Sequence, residues 1–195
     1  FDRFFGLISG ASNYFRLDAG RQMALDDDPF TPSGDFYMTD AFTDHALRFI
    51  DEAAAAKTPY FLYLAYTSPH WPLHARAEDV AKFRGRYKEG WDILRERRYK
   101  KQVGLGLVDA AWPLSPRGGT SWDAAKDKDE ADLRMAVYAA QIHAMDRNIG
   151  RITAKLDADT LVMFLADNGG CAEVVERGKK DAETGTPDSF RSYGQ

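Results

Sequence analysis

The chain contains a single cysteine, Cys171, among 195 residues. One cysteine cannot form an internal disulfide framework, and it does not fix the compartment. No apolar run approaches the roughly 18 residues of a membrane helix, so we expect no membrane span in this segment. The net charge is -4, which argues against a general nucleic-acid-binding surface, and we expect no nucleic-acid partner.

Motifs for common nucleophiles and cofactors are absent. There is no Gly-x-Ser-x-Gly elbow, no phosphate-binding loop and no Cys-x-x-Cys pair. No local base accompanies Cys171, so we predict a small buried residue there rather than a nucleophile. The sequence starts at Phe1, with no initial methionine and no signal-like segment. Its length suits one large domain or part of a bigger one. We therefore expect a fragment of a longer protein.

Apolar residues make up 44% of the chain, enough to build a core, and four stretches carry helical patterns. The first opens at Thr39, predicted as its N-cap, and ends at Lys57-Thr-Pro59. The second is a short helix, Glu78–Arg84. The third is Lys88–Gly104, whose charge run is typical of a solvated face. A long excursion, Leu105–Lys128, separates it from the fourth and longest helix, Glu130–Leu156. In this longest helix, Gly150 predicts a close approach by another helix or strand, and Asp146 and Arg147 are predicted to orient the helix against the sheet.

Two apolar runs, Tyr60–Tyr66 and Leu161–Ala166, predict strands buried on both faces. Each run follows a predicted helix, and each ends in a polar loop marked by proline or glycine. This alternation predicts an α/β fold with a central sheet and a site along one sheet edge.

The loop after the second strand is the first candidate site. Asp167 and Asn168 are adjacent oxygen donors, and such hard ligands suit calcium or magnesium. Gly169 and Gly170 follow and allow positive φ and close backbone approach. The alternative is an ordinary turn, because Asp-Asn-Gly is common turn chemistry.

His70, in the loop after the first strand, is the second candidate. Prolines on either side are expected to fix the loop, so the imidazole would be positioned to donate a proton to an anionic substrate or a leaving oxygen. The alternative is a packing histidine in a Pro-Trp corner. His74 is predicted to support the site or to lie on the surface, and Glu173 is a further possible oxygen ligand.

Several of these stretches together resemble the sulfatase family. Tyr60–His74 resembles the strand leading into that family's Pro-His-x-Pro loop, and Leu165–Gly170 resembles its Asp-Asn-Gly metal loop. Met135–Ile152 is similar to its long Met-Asp-x-x-Ile-Gly helix, and Tyr37–Ile50 to the helix before the histidine strand. Two further stretches resemble the arylsulfatase branch in particular, namely Trp91–Leu107 and Leu114–Arg117.

The resemblance implies an alkaline-phosphatase-like α/β fold, with a central mixed, mostly parallel sheet flanked by helices. It implies hydrolysis of sulfate esters by a formylglycine nucleophile with one calcium ion (Ca2+). By position, Asp167 and Asn168 would be calcium ligands, and His70 would contact the sulfate and could donate a proton. The implied substrate is a small-molecule or glycan sulfate ester, and the implied location is periplasmic or secreted.

The chain departs from the family pattern at the nucleophile. Cys171 is followed by Ala-Glu-Val-Val rather than x-Pro-x-Arg, so the formylglycine segment is expected upstream of Phe1. We therefore expect residues 1–195 to be part of the catalytic domain and to be inactive alone. Two alternatives remain, a phosphodiesterase or phosphonate hydrolase of the same superfamily and a non-catalytic calcium-binding derivative.

Overall fold

A computed structural model describes residues 1–171 and 173–192. Within this part of the chain, no helix combines the length and apolarity needed to cross a membrane. The helices are α1 (Met38–Ala56), α2 (Ala77–Ala81), α3 (Trp91–Gly104), a 3-10 turn (Trp122–Ala124) and α4 (Lys128–Thr153). The strands are β1 (Phe5–Leu7), β2 (Met23–Leu25), β3 (Asp28–Phe30), β4 (Glu176–Gly178) and β5 (Ser189–Arg191).

Helix α1 forms where the sequence predicts it, but its N-cap differs. The N-cap is Tyr37, in an extended conformation with φ -138° and without a side-chain capping hydrogen bond. Thr39 lies inside the first turn and is fully buried, so its prediction as N-cap was wrong. The helix ends at Lys57 in the left-handed conformation, shortly before Pro59, as the proline predicts.

Helix α4 runs through the whole core. Its N-terminal half packs on the segment after residue 72 and on α2, through Val137 and Ala140. Ala144 joins the aromatic cluster around Tyr14 and Phe42, and Ile152 packs on the C-terminal half of α1. One helix face therefore connects three clusters, which explains why its apolar periodicity is readable from sequence.

Gly150 lies on the exposed side of α4. A Cβ placed there would meet nothing within 4 Å, apart from the helix's own backbone and adjoining residues. The predicted close approach at Gly150 was therefore wrong.

Helix α3 projects from this core and has no buried residue, as its charge run predicts. Its N-terminus packs on the 3-10 turn, where the Trp91 and Trp122 rings meet edge to face at 4.9 Å. Asp92 accepts a 2.8 Å hydrogen bond from the backbone N–H of Trp122. At Gly90, where φ is 90°, a Cβ would lie 2.1 Å from the Trp122 ring. Only glycine fits this contact.

The predicted central sheet is not present in the described residues. They form an antiparallel sheet in the order β1-β2-β3 and an antiparallel pair of β4 with β5. The parallel pairing within residues 1–171 and 173–192 is an isolated bridge between His74 and Gly185. Helices and strands thus share the fold, but a mostly parallel sheet between helices does not appear.

Within the described residues, both predicted strands are unpaired, and neither is buried on both faces. Tyr60–Tyr66 packs Leu62, Leu64 and Tyr66 onto the helices, while Phe61 and Tyr63 are 73% and 72% exposed. All five residues of Leu161–Leu165 are more than half exposed. The prediction of burial was wrong because a strand is buried by hydrogen-bonded neighbours and covering layers, which a local pattern cannot supply.

Candidate functional site

His70 lies in the turn that follows Tyr60–Tyr66, between cis prolyl bonds at Ser68–Pro69 and Trp71–Pro72. Its side chain is exposed, and its Nδ1 is 2.7 Å from the carbonyl oxygen of Trp71. A carbonyl oxygen only accepts, so Nδ1 carries the hydrogen and donates. Nε2 is then the free nitrogen, which holds a proton in the imidazolium form and accepts one in the neutral form.

Two buried side chains fix the His70 backbone. The Tyr14 hydroxyl donates a 2.8 Å hydrogen bond to the His70 carbonyl oxygen, and Gln141 Nε2 lies 3.4 Å from that oxygen and 3.3 Å from the Pro72 carbonyl oxygen. Burial raises the pKa of Tyr14 well above its ordinary value, so its phenol keeps the proton that it donates. Tyr14 stands in no local motif, and nothing in the stretch Met135–Ile152 marks Gln141 as a partner of His70, so neither contact was predicted from the sequence.

Asp167 and Asn168 lie at a bend directly after the second extended segment, and both are exposed. Within residues 1–171 and 173–192, neither side chain has a hydrogen-bond or ion-pair partner. Gly169 and Gly170 do not have positive φ, and a Cβ on either would meet nothing within 4 Å. The freedom that these glycines allow is therefore not used here, while the oxygen donors before them are free to bind a cation.

A side-chain hydrogen bond joins the two candidate loops. Trp71 Nε1 donates to Glu173 Oε2 at 2.9 Å, and the Trp71 ring packs edge to face on Phe190 at 5.6 Å. The residue next to His70 is therefore bonded to the segment that continues from Asp167 and Asn168. Glu173 uses one carboxylate oxygen for this bond, which makes it a link between the loops.

The donor chemistry of this region suits part of a calcium site. Calcium takes about 6–8 oxygen ligands, and Asp167 and Asn168 offer a carboxylate and an amide oxygen. No group of three or more His, Cys, Asp or Glu in the described ranges could hold a metal ion. The two residues can thus supply some ligands but not a complete coordination shell.

The nearby Cys171 is exposed, so its prediction as a buried residue was wrong.

His74, four residues after His70, is a structural residue. Its side chain is fully buried, its Nδ1 accepts from the Tyr14 N–H at 3.3 Å, and its Nε2 donates to the Ser189 carbonyl oxygen at 2.6 Å. Burial lowers its pKa to about 4, against the opposing effect of the Ser189 hydrogen bond. The prediction of a surface position was therefore wrong. Because of the lowered pKa, the ring stays neutral near pH 7.

Arg147 orients α4 against α1 and α2 rather than against a sheet. It contacts the buried carboxylate of Asp79 at 3.1 Å and Asp40 at 3.5 Å. Asp40 also accepts from Asn148 at 2.7 Å and from Arg76 at 3.2 Å. Asp40, Arg76 and Arg147 line an open cleft of about 490 Å³. Because carboxylates on its walls pair with the arginines, the cleft is held together by internal ion pairs and offers no free charge to a ligand.

The sequence matches the family model described as Sulfatase over residues 1–188. An uncharacterized sulfatase of Schizosaccharomyces pombe is 31% identical over 199 residues, covering 90% of this chain and 36% of that relative. An arylsulfatase of Klebsiella aerogenes is 31% identical over 172 residues, covering 84% of this chain and 35% of the relative. The chain thus spans about a third of the length of these relatives.

Among solved structures, Ps i-CgsB aligns with a TM-score of 0.48 and 24% identity, over 79% of this chain and 28% of its own. Its complex with k-i-k-neocarrahexaose aligns equally.

Proposed function

Because the chain belongs to the sulfatase family, we propose that it forms part of a sulfuric ester hydrolase of the arylsulfatase type. The family match over residues 1–188 carries this proposal. The 31% identity to the Klebsiella aerogenes arylsulfatase favours the arylsulfatase branch. Periplasmic or extracellular location and a small-molecule or glycan sulfate ester as substrate belong to the same proposal.

The described residues would play two roles in this reaction. Asp167 and Asn168 would contribute ligands to one calcium ion, which when bound would offset the charge on the sulfate oxygens, while a formylglycine from the intact protein would supply the nucleophile. Cleavage leaves negative charge on the bridging oxygen of the ester, and His70 would relieve it by donating a proton from Nε2. The hydrogen bond from Nδ1 to Trp71 keeps Nε2 as the reacting nitrogen.

In the intact domain, we propose that Tyr60–Tyr66 and Leu161–Ala166 are strands of one parallel sheet. Their carboxyl ends lead into the His70 turn and the Asp167 bend, and parallel strands bring such ends to one sheet edge. The Trp71–Glu173 hydrogen bond supports this arrangement, since it already joins the two segments beyond those ends.

The test is the hydrolysis of 4-nitrophenyl sulfate by the intact protein with and without the substitution His70→Gln. We expect kcat to fall by about 100-fold or more, because proton donation typically contributes 10²- to 10⁴-fold. Thermal stability should change little, since the imidazole is exposed. The control His143→Gln removes another partly exposed imidazole, from α4, and should retain full activity.

Four comparisons define the outcome. Removal of calcium with a chelator should abolish turnover, and residues 1–195 alone should show none. Faster hydrolysis of a bis(4-nitrophenyl) phosphate diester than of the sulfate would instead favour a phosphodiesterase. Equal activity of the His70→Gln variant and the unchanged protein would remove His70 from the mechanism.

A further inference from the structure

Helix α3 presents a cationic face that no other part of the described chain covers. Arg98, Lys100 and Lys101 are exposed, and within residues 1–171 and 173–192 none of their side chains has an ion-pair or hydrogen-bond partner. Arg97 differs, because Glu89 accepts from both its terminal nitrogens at 3.0 and 2.6 Å. Arg98 and Lys101 are one turn apart and share a face, which Lys100 borders. We call Arg98, Lys100 and Lys101 the cationic face.

The opposite side of α3 is already occupied. Arg95 donates to the backbone and side-chain oxygens of Ser115 at 2.5 and 2.7 Å, and the Tyr99 hydroxyl donates to the Trp112 carbonyl oxygen at 2.6 Å. These bonds hold residues 112–115 against the helix. The excursion therefore packs on one side of α3 and leaves the cationic face to solvent.

The concentration of charge on this face contrasts with the rest of the protein. Three unpaired cations lie within four residues of a chain whose net charge is -4. Like charges on adjacent turns of a helix repel each other. A polyanion that spans them relieves this repulsion, so it should bind here in preference to the acidic remainder of the surface. A guanidinium and two ammonium groups bind tetrahedral oxyanions well.

We propose that the cationic face binds a sulfated polysaccharide chain and holds it apart from the bond that is cleaved. The inference rests on the proposed function, which makes a sulfate ester the substrate and a sulfated polymer one carrier of it. A nucleic acid is less favoured because the protein as a whole is acidic.

Binding of dextran sulfate and of unsulfated dextran to the full chain, measured by isothermal titration calorimetry at several salt concentrations, tests this inference. The test variant carries Arg98→Gln, Lys100→Gln and Lys101→Gln. The control variant carries Lys57→Gln, Lys126→Gln and Lys180→Gln, which remove the same charge from exposed positions elsewhere. Glutamine has nearly the helix propensity of lysine and arginine, and circular dichroism checks that α3 persists.

We expect dextran sulfate to bind and dextran not to bind. The test variant should bind on the order of tenfold more weakly, with a salt dependence reduced by roughly one unit of slope per removed cation. The control variant should bind as the unchanged chain does. No binding, or equal loss in both variants, would overturn the proposal, as would tighter binding of single-stranded DNA of equal charge.

The readout separates this inference from the proposed function, because no turnover is required. An intact protein that hydrolyses 4-nitrophenyl sulfate but ignores dextran sulfate would overturn the cationic face alone. Binding by the face without any sulfate hydrolysis in the intact protein would overturn the proposed function instead.

Discussion

His74 is the residue whose protonation bears most directly on the stability of the fold. Its folded pKa is about 4 because of burial, whereas an exposed histidine titrates near about 6.5. Between these values the unfolded chain binds a proton that the folded chain excludes. Folding free energy is therefore lost as pH falls from about 6.5 to about 4, and this contribution levels off below pH 4.

We predict that the free energy of unfolding falls by about 3 kcal/mol across this window, from a shift of about 2.5 pKa units. Urea denaturation at pH 7.5, 6, 5 and 4 measures it. In His74→Gln, an amide can still accept from Tyr14 and donate to Ser189, so the variant should fold with a flatter profile. Asp79 acts at a lower pH, because the Lys82 and Arg147 hydrogen bonds outweigh its burial and hold its pKa below 3.8. Its contribution to the free energy of unfolding is therefore lost only below this window. An unchanged slope in His74→Gln would contradict the assignment.

At the same scale, the sequence identified side chains with evident chemistry but not the residues that hold them. His70, Asp167 and Asn168 stand out through their neighbours along the chain, and their functional roles stay predictions. Tyr14 and Gln141 bond to the His70 carbonyl oxygen from 56 and 71 positions away. Contacts at that separation leave no local pattern, because they arise only when elements pack.

Among the elements, α3 is held by one close approach at Gly90. The residue combines a φ of 90° with a contact in which a Cβ would overlap the Trp122 ring. In Gly90→Ala, we predict that local opening of α3 and the 3-10 turn becomes easier by about 1–3 kcal/mol, from backbone strain and overpacking. Amide hydrogen exchange should quicken in these elements and stay unchanged in the centre of α4.

Gly104→Ala is the control within the same helix. Its φ is not positive, and a Cβ would meet nothing within 4 Å, so the added methyl group should leave exchange unchanged or slow it. Equal acceleration in both variants would show that the Trp122 contact does not hold the helix.

Helices were predictable from the sequence and the sheet was not, for a physical reason. The hydrogen bonds of α1 and α4 are internal, and their apolar faces recur within one turn. The apolar runs at residues 60–66 and 161–166 could form strands only beside partners, and the described residues provide none. Helix ends are predicted less well than helix interiors. Thr39 is a good capping residue, but it is buried inside the first turn of α1.

At the scale of the whole molecule, the two extended segments leave a large apolar surface. Phe61, Leu161 and Phe164 are 73%, 82% and 76% exposed, and large exposed apolar side chains of this kind favour association. We predict that residues 1–195 bind an anionic naphthalene dye and associate with rising concentration, as measured by fluorescence and sedimentation velocity.

The double variant Leu161→Lys with Phe164→Lys should lower both the dye fluorescence and the association. Leu107→Lys is the control, since Leu107 is similarly exposed, at 70%, but lies on the excursion after α3. A chain that stays monomeric without binding dye would show that these segments are covered in solution.

The contacts of His74 also bear on the order of events during synthesis. Residues 14, 74 and 189 meet at one imidazole, and the Leu73 N–H donates to the Arg191 carbonyl oxygen at 2.8 Å. None of the contacts with residues 185–191 can form until that stretch has left the ribosome. The loop that carries His70 therefore lacks these contacts while more than a hundred later residues are translated. A nascent chain stalled before residue 185 should remain accessible to proteases at residues 67–76.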